Sequence, residues 1–133
     1  MNRVLIILAF LLFLSCKKES GSTDSQGSVV VKGNIALVVT AMHHSWVVPN
    51  IRVFLKKDVT SWPGRDTTLY TWKAITDASG GVIFRDLFKG NYYLYATGFD
   101  SNFGANVIGY MPVNLNDTTA AGNEADYTLM VSE

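Results

Sequence analysis

The chain has one cysteine, three prolines, two histidines and no net charge, its 11 Lys and Arg matching its 11 Asp and Glu. Each scarcity excludes something. A lone Cys16 has no second sulfur for an intrachain disulfide, and soft metal sites need several ligands at set spacing. Balanced charge removes the basic excess on which nucleic-acid binding depends, so no nucleic-acid partner is expected. There are no heptads, no internal repeats and no convincing amphipathic helix. The only long apolar run lies at the start. Val4 to Leu14 makes roughly eleven residues, short of the roughly 20 that cross a hydrocarbon core as a helix.

That run has the parts of a secretory signal: Arg3 supplies the positive region, Val4 to Leu14 the apolar one, and the small Ser15 the cleavage position. With Phe13-Leu14-Ser15-Cys16 behind it, residues 1–15 resemble a bacterial lipoprotein signal, with Phe13 where the common pattern has Leu. The resemblance implies that Cys16 becomes the first mature residue, joined to diacylglycerol and N-acylated by palmitate-type chains. Several acyl chains on one residue anchor stably where one is marginal. Lys17 and Lys18 would then sit at the headgroups, each favouring anionic lipid by about 1 kcal/mol. The Cys-Lys-Lys start resembles lipoproteins of the Bacteroidetes group, which implies the outer membrane of the cell envelope and leaves the periplasmic or surface leaflet open. Residues 16–27 contain nothing apolar after Cys16 and are expected to be a flexible spacer.

Residues 28–133 are the length of one domain and carry the period of strands. The expected strands are Val29 to Val31, Ile35 to Thr40, Val48 to Leu55, Leu69 to Thr76, Val82 to Arg85, Tyr92 to Phe99, Val107 to Leu115 and Tyr127 to Val131. Roughly seven strands punctuated by turn residues predict an all-β sandwich. The most specific stretch runs from Thr76-Asp77-Ala78-Ser79-Gly80 through Val82, Phe84 and Leu87 to Gly90, Tyr92 and Leu94. Asp77 and Gly80 suit a tight reversal, and Val82, Phe84, Tyr92, Leu94 and Ala96 fall on inward positions. This block, with Val48-Pro49-Asn50-Ile51-Arg52-Val53 upstream, resembles the carboxypeptidase regulatory-like family of transthyretin-type domains. The resemblance implies a Greek-key β-sandwich and a non-enzymatic module that stiffens, spaces or binds. The Asp58–Thr68 insert departs from the family's pattern.

Catalysis is not expected. No Gly-x-Ser-x-Gly elbow frames a nucleophile. The ureide hydrolase that shares the transthyretin fold closes on Tyr-Arg-Gly-Ser, against Leu129-Met130-Val131-Ser132-Glu133 here. A hydrolase is therefore a distant third reading, and no cofactor is expected. His43-His44 has no Asp, Glu or Cys within ten residues and reads as a polar loop, not a metal site. Asp100-Ser101-Asn102 lacks the closing Glu of a calcium loop and reads as a turn held by Asx hydrogen bonds.

Aromatic residues offer a better lead. If Tyr92, Leu94 and Ala96 face inward, then Tyr93, Tyr95 and Thr97 face outward, and the same logic exposes Arg52 and Phe54. Trp62 in the insert and Trp46 in the preceding loop add rings at expected exposed places. Such a surface suits stacking on sugars or docking a protein; the alternative is that the rings cover one another. Asp66-Thr67-Thr68 and Asp117-Thr118-Thr119 both resemble acceptors of Bacteroidetes O-glycosylation, at Thr67 and Thr118. The expectation is a lipid-anchored binding module for a protein or glycan, with a structural subunit of an envelope assembly as the alternative.

Overall fold

Strand β1 (Ile35–His43) alternates strictly, with Ile35, Leu37, Val39, Ala41 and His43 buried and their neighbours partly exposed. That period of two is what a half-buried strand requires. A computed structural model describes residues 31–117 and 123–133 of the chain. The signal, Cys16, the spacer, Val29 and Val30, and Thr118 lie outside the described residues. Val31 is exposed and in no strand.

Seven further strands follow: β2 (Trp46–Val47), β3 (Arg52–Lys57), β4 (Trp72–Ile75), β5 (Gly81–Leu87), β6 (Asn91–Asp100), β7 (Ala105–Asn114) and β8 (Glu124–Met130). They form two four-stranded sheets. In the first, β1 is flanked by antiparallel β5 and, on its other edge, by parallel β8, with the short β2 paired to the end of β1. The second is antiparallel in the order β4-β3-β6-β7. The all-β sandwich expected from the sequence is the fold observed, with eight strands where about seven were read.

The core between the sheets takes Leu37, Val39, Phe84 and Leu129 from the first sheet and Val53, Leu55, Leu94 and Val107 from the second. Fully burying one such side chain is worth about 1.5–3 kcal/mol. Tyr92 is fully buried, and its hydroxyl donates to the Phe88 carbonyl at 2.7 Å.

Two boundaries move for local reasons. The strand read from Val48 begins at Arg52 because Pro49-Asn50 makes a turn, Asn50 taking a φ of 60°. Proline followed by a residue of positive φ is the type II pattern. Buried Thr76 locks that turn: its hydroxyl donates to Val48 O (2.9 Å) and accepts from Ile51 N (3.1 Å). The strand read from Leu69 starts at Trp72, since Thr67–Leu69 is a turn of 3-10 helix. Asp77 behaves as expected, its Oδ1 accepting from Ser79 N at 2.8 Å and Gly81 N at 2.9 Å. Beyond β8 the chain changes sheets: Val131 N donates to Met42 O, and Ser132 exchanges both backbone bonds with Ile108 of β7. A Cβ at Gly109 would lie 2.4 Å from Met130 O, so only glycine admits this crossing.

Candidate functional site

With Val53, Leu55, Leu94 and Ala96 in the core, period two sends the intervening residues of β3 and β6 to the outer face of the second sheet. The register sets them in rows. One row is Lys73, Phe54, Tyr95 and Tyr110; the next is Ile75, Arg52, Thr97 and Ile108; Phe99 then stands opposite Asn106.

The segment between β3 and β4 folds over the first of these rows. Trp62 stacks on Tyr110 with ring centroids 4.2 Å apart and planes 5° from parallel, and lies 6.2 Å from Tyr95. Tyr70 packs on Phe54 and Tyr95 at 5.8 and 5.7 Å. The Tyr70 hydroxyl donates to Gly64 O at 2.8 Å, and burial pushes its phenol above the ordinary value. Asp66 caps the 3-10 turn by accepting from Thr68 N. The result corrects the sequence reading. Phe54, Tyr93 and Tyr95 point outward yet are only 5, 8 and 3 % exposed. Adjacent rings on a wet sheet face gain by being covered, and the segment between β3 and β4 supplies Trp62 and Tyr70 to cover Phe54 and Tyr95. Trp62 is itself half-buried, so it too is part of the cover.

The other half of the face stays open, and Arg52 is exposed there as expected. Two shallow depressions flank it. One, of about 430 Å³, is lined by Arg52, Phe54, Lys73, Ala74 and Ile75. The other, of about 300 Å³, is lined by Asn50, Arg52, Thr97, Gly98, Phe99 and Asn106. Both fall near the roughly 300–1,000 Å³ range of small-ligand sites. The first is lined by Phe54 and by Ile75, 62 % exposed; the second presents Phe99, 56 % exposed, together with the amides of Asn50 and Asn106. The side chains of Arg52 and Lys73 form no ion pair or hydrogen bond with another described residue. Phe99, Asn50 and Asn106 were not picked out from the sequence as site residues. Phe99 follows Tyr93, Tyr95 and Thr97 in the outward series, and that signal was available.

A second cluster sits where the β1–β2 and β6–β7 turns meet. His43 Nδ1 lies 3.0 Å from Asp100 Oδ2, with side chains 3 and 0 % exposed. His44, at φ 54°, turns back so that its ring stacks on His43 at 4.5 Å, and Phe103 closes on both. The reading of His43-His44 as a polar loop is corrected for His43, the fifth inward residue of β1, whose partner lies 57 positions away. Asp100 makes the expected Asx turn, Oδ1 accepting from Asn102 N at 2.9 Å. Among the described residues no group of three His, Cys, Asp or Glu side chains could hold a metal ion. Exposed Trp46 lines a shallow depression of about 280 Å³ with Asn102 and Phe103. It stands apart from the residues around Arg52, so the sequence-selected aromatics do not form one surface. Thr67 is exposed on the 3-10 turn.

No protein-family model matches the sequence, and no curated protein does. The resemblance to the carboxypeptidase regulatory-like family therefore rests on the motifs quoted above. Among solved structures, the fold is similar to the major pilin subunit of Bacillus cereus, with a TM-score of 0.51 at 10% identity over 76% of this chain. The match spans only 30% of that pilin. It is also similar to a protein of Pseudomonas aeruginosa whose ascribed role is carbohydrate binding, with a TM-score of 0.50 at 15% identity, covering 75% of this chain and 90% of the other. At these identities the likeness shows a shared β-sandwich.

Proposed function

We propose that the chain is a non-catalytic binding module of the bacterial cell envelope, tethered through lipid on Cys16 and recognising a glycan on the open half of its outer sheet face. The observation that carries the reading is the position of Arg52 between two depressions, one apolar and one lined by Asn50, Asn106 and the Phe99 ring. A sugar offers hydroxyls for amides that both donate and accept, and an apolar C–H face for an exposed ring. The fold of the Pseudomonas aeruginosa protein supports this reading at the level of scaffold. The test uses the whole lipidated chain in detergent on arrays of envelope polysaccharides. Retention by at least one polysaccharide, lost in Phe99→Ala, is the expected result; retention indifferent to Phe99 and Arg52 would sink it.

A structural subunit is the second reading. β4 ends its sheet, and among the described residues its outer edge pairs with no strand, so an extended segment of a neighbour could add there. A photocrosslinker at Ile75 that joins the chain to one envelope protein in cells, with no glycan retained, would favour this alternative.

A further inference from the structure

The open half of the outer face is electrostatically one-sided. Its outward residues on β3 and β4 include two cations, Arg52 and Lys73, and its rows contain no Asp or Glu. A basic chain would make this unremarkable, but positive and negative residues balance here at 11 each. Lys32 and Lys57 each lie near an aspartate, whereas Arg52 and Lys73, like several other exposed cations, form no ion pair with a described residue; what sets these two apart is that they share one sheet face whose rows hold no carboxylate. Two exposed cations beside an apolar floor, with no carboxylate in the same rows, give this part of the face a local positive potential that complements an anion.

Resting on the glycan reading above, we infer that this face takes an acidic glycan, its anionic group on Arg52 and one sugar unit in each flanking depression. The planar guanidinium offers paired N–H donors that match a carboxylate or sulfate in bidentate geometry. Arg52 lines both depressions, so one anionic group there can be approached from either side while the chain continues across the strands. On one side Asn50 and Asn106 address hydroxyls beside Phe99. Asn50 is held in place by its N–H bond to Thr76 O at 3.0 Å, so the amide is presented by a fixed turn. On the other side Ile75 and the Phe54 floor take the apolar face of the next unit, and Lys73 supplies a second charge without directional demand. Burial of Tyr93, and the covering of Phe54 and Tyr95 by Trp62 and Tyr70, sharpen the preference. They remove the broad aromatic platform that would favour neutral sugars and leave the charged half as the accessible one.

The whole lipidated chain in detergent is titrated with polygalacturonate (carboxylate), dextran sulfate (sulfate) and neutral dextran. Binding to at least one of the acidic polymers is expected to exceed binding to dextran by tenfold or more, and to weaken as NaCl rises, because partly exposed charges are screened. Arg52→Gln should cost tenfold or more on the acidic polymer, Arg52→Lys less, and Lys73→Gln severalfold, with unchanged circular dichroism, since both side chains are exposed. Preference for polygalacturonate assigns a carboxylate, and preference for dextran sulfate a sulfate; either supports the inference. Equal binding of neutral and acidic polymers, insensitive to Arg52→Gln, overturns the inference and leaves the glycan reading standing. Retention of no glycan at all, here and on the envelope array, overturns both.

Discussion

Truncating His43 would leave the buried Asp100 without its one side-chain partner among the described residues, keeping only the Asn102 N–H on Oδ1, a loss that costs far more than that of a surface pair. His43→Ala is expected to destabilise the domain by about 3–5 kcal/mol in urea unfolding. His44→Ala, on the exposed side of the same stack, should cost about 1 kcal/mol or less. Equal effects would show that His43 is not the keystone of the turn. Asp77 makes a different kind of prediction. The side-chain bond from Ser79, with the backbone N–H groups of Gly81 and Ser79, holds its carboxyl below the ordinary value of 3.8. A depressed folded-state value means that the stabilisation is complete above the unfolded value and disappears as pH falls through the folded one. Acid unfolding below about pH 4 should therefore be less steep in Asp77→Asn, with the difference vanishing toward neutral pH relative to each protein's own plateau. Parallel acid profiles would count against this linkage.

At the scale of elements, the insert between β3 and β4 behaves as part of the fold. Trp62 and Tyr70 complete a second small core on the outside of the sheet, around Phe54 and Tyr95. Trp62→Ala removes the parallel stack on Tyr110 and uncovers Tyr95, and should cost about 2–3 kcal/mol, less than the 3–5 of a fully buried ring. Thermal unfolding followed by near-ultraviolet circular dichroism reads both the loss and the altered ring environment; an unchanged midpoint would make the insert a passive loop. The outward positions of β3 and β6 were legible from their alternation with Val53, Leu55, Leu94 and Ala96. Their burial was not, because period two reports which face a residue takes and carries nothing about what folds over that face. Likewise, stepping by two from Ile35 reaches His43, which marks it as inward. Asp100 as its partner depends on two hairpin ends meeting, which no local pattern encodes.

For the whole molecule, the proposed tether and the proposed recognition face make separate predictions. With Cys16→Ser the chain should no longer partition into the detergent phase and should lose the mass of its acyl groups, because stable anchoring requires the attached chains. A lipid-free wild-type chain, by mass, would refute the anchor.

Alternation of apolar residues and the turn chemistry at Asp77–Gly80 were enough to determine an all-β sandwich and most of its inward residues, because strand period and turn preference are local properties. The tertiary structure alone decided which outward residues meet water. The segment between β3 and β4 covers Phe54 and Tyr95, Tyr93 is buried as well, and Arg52, Phe99 and their flanking depressions stay open. Exposure depends on contacts between segments distant in sequence, and those exist only once the two sheets and the insert have packed.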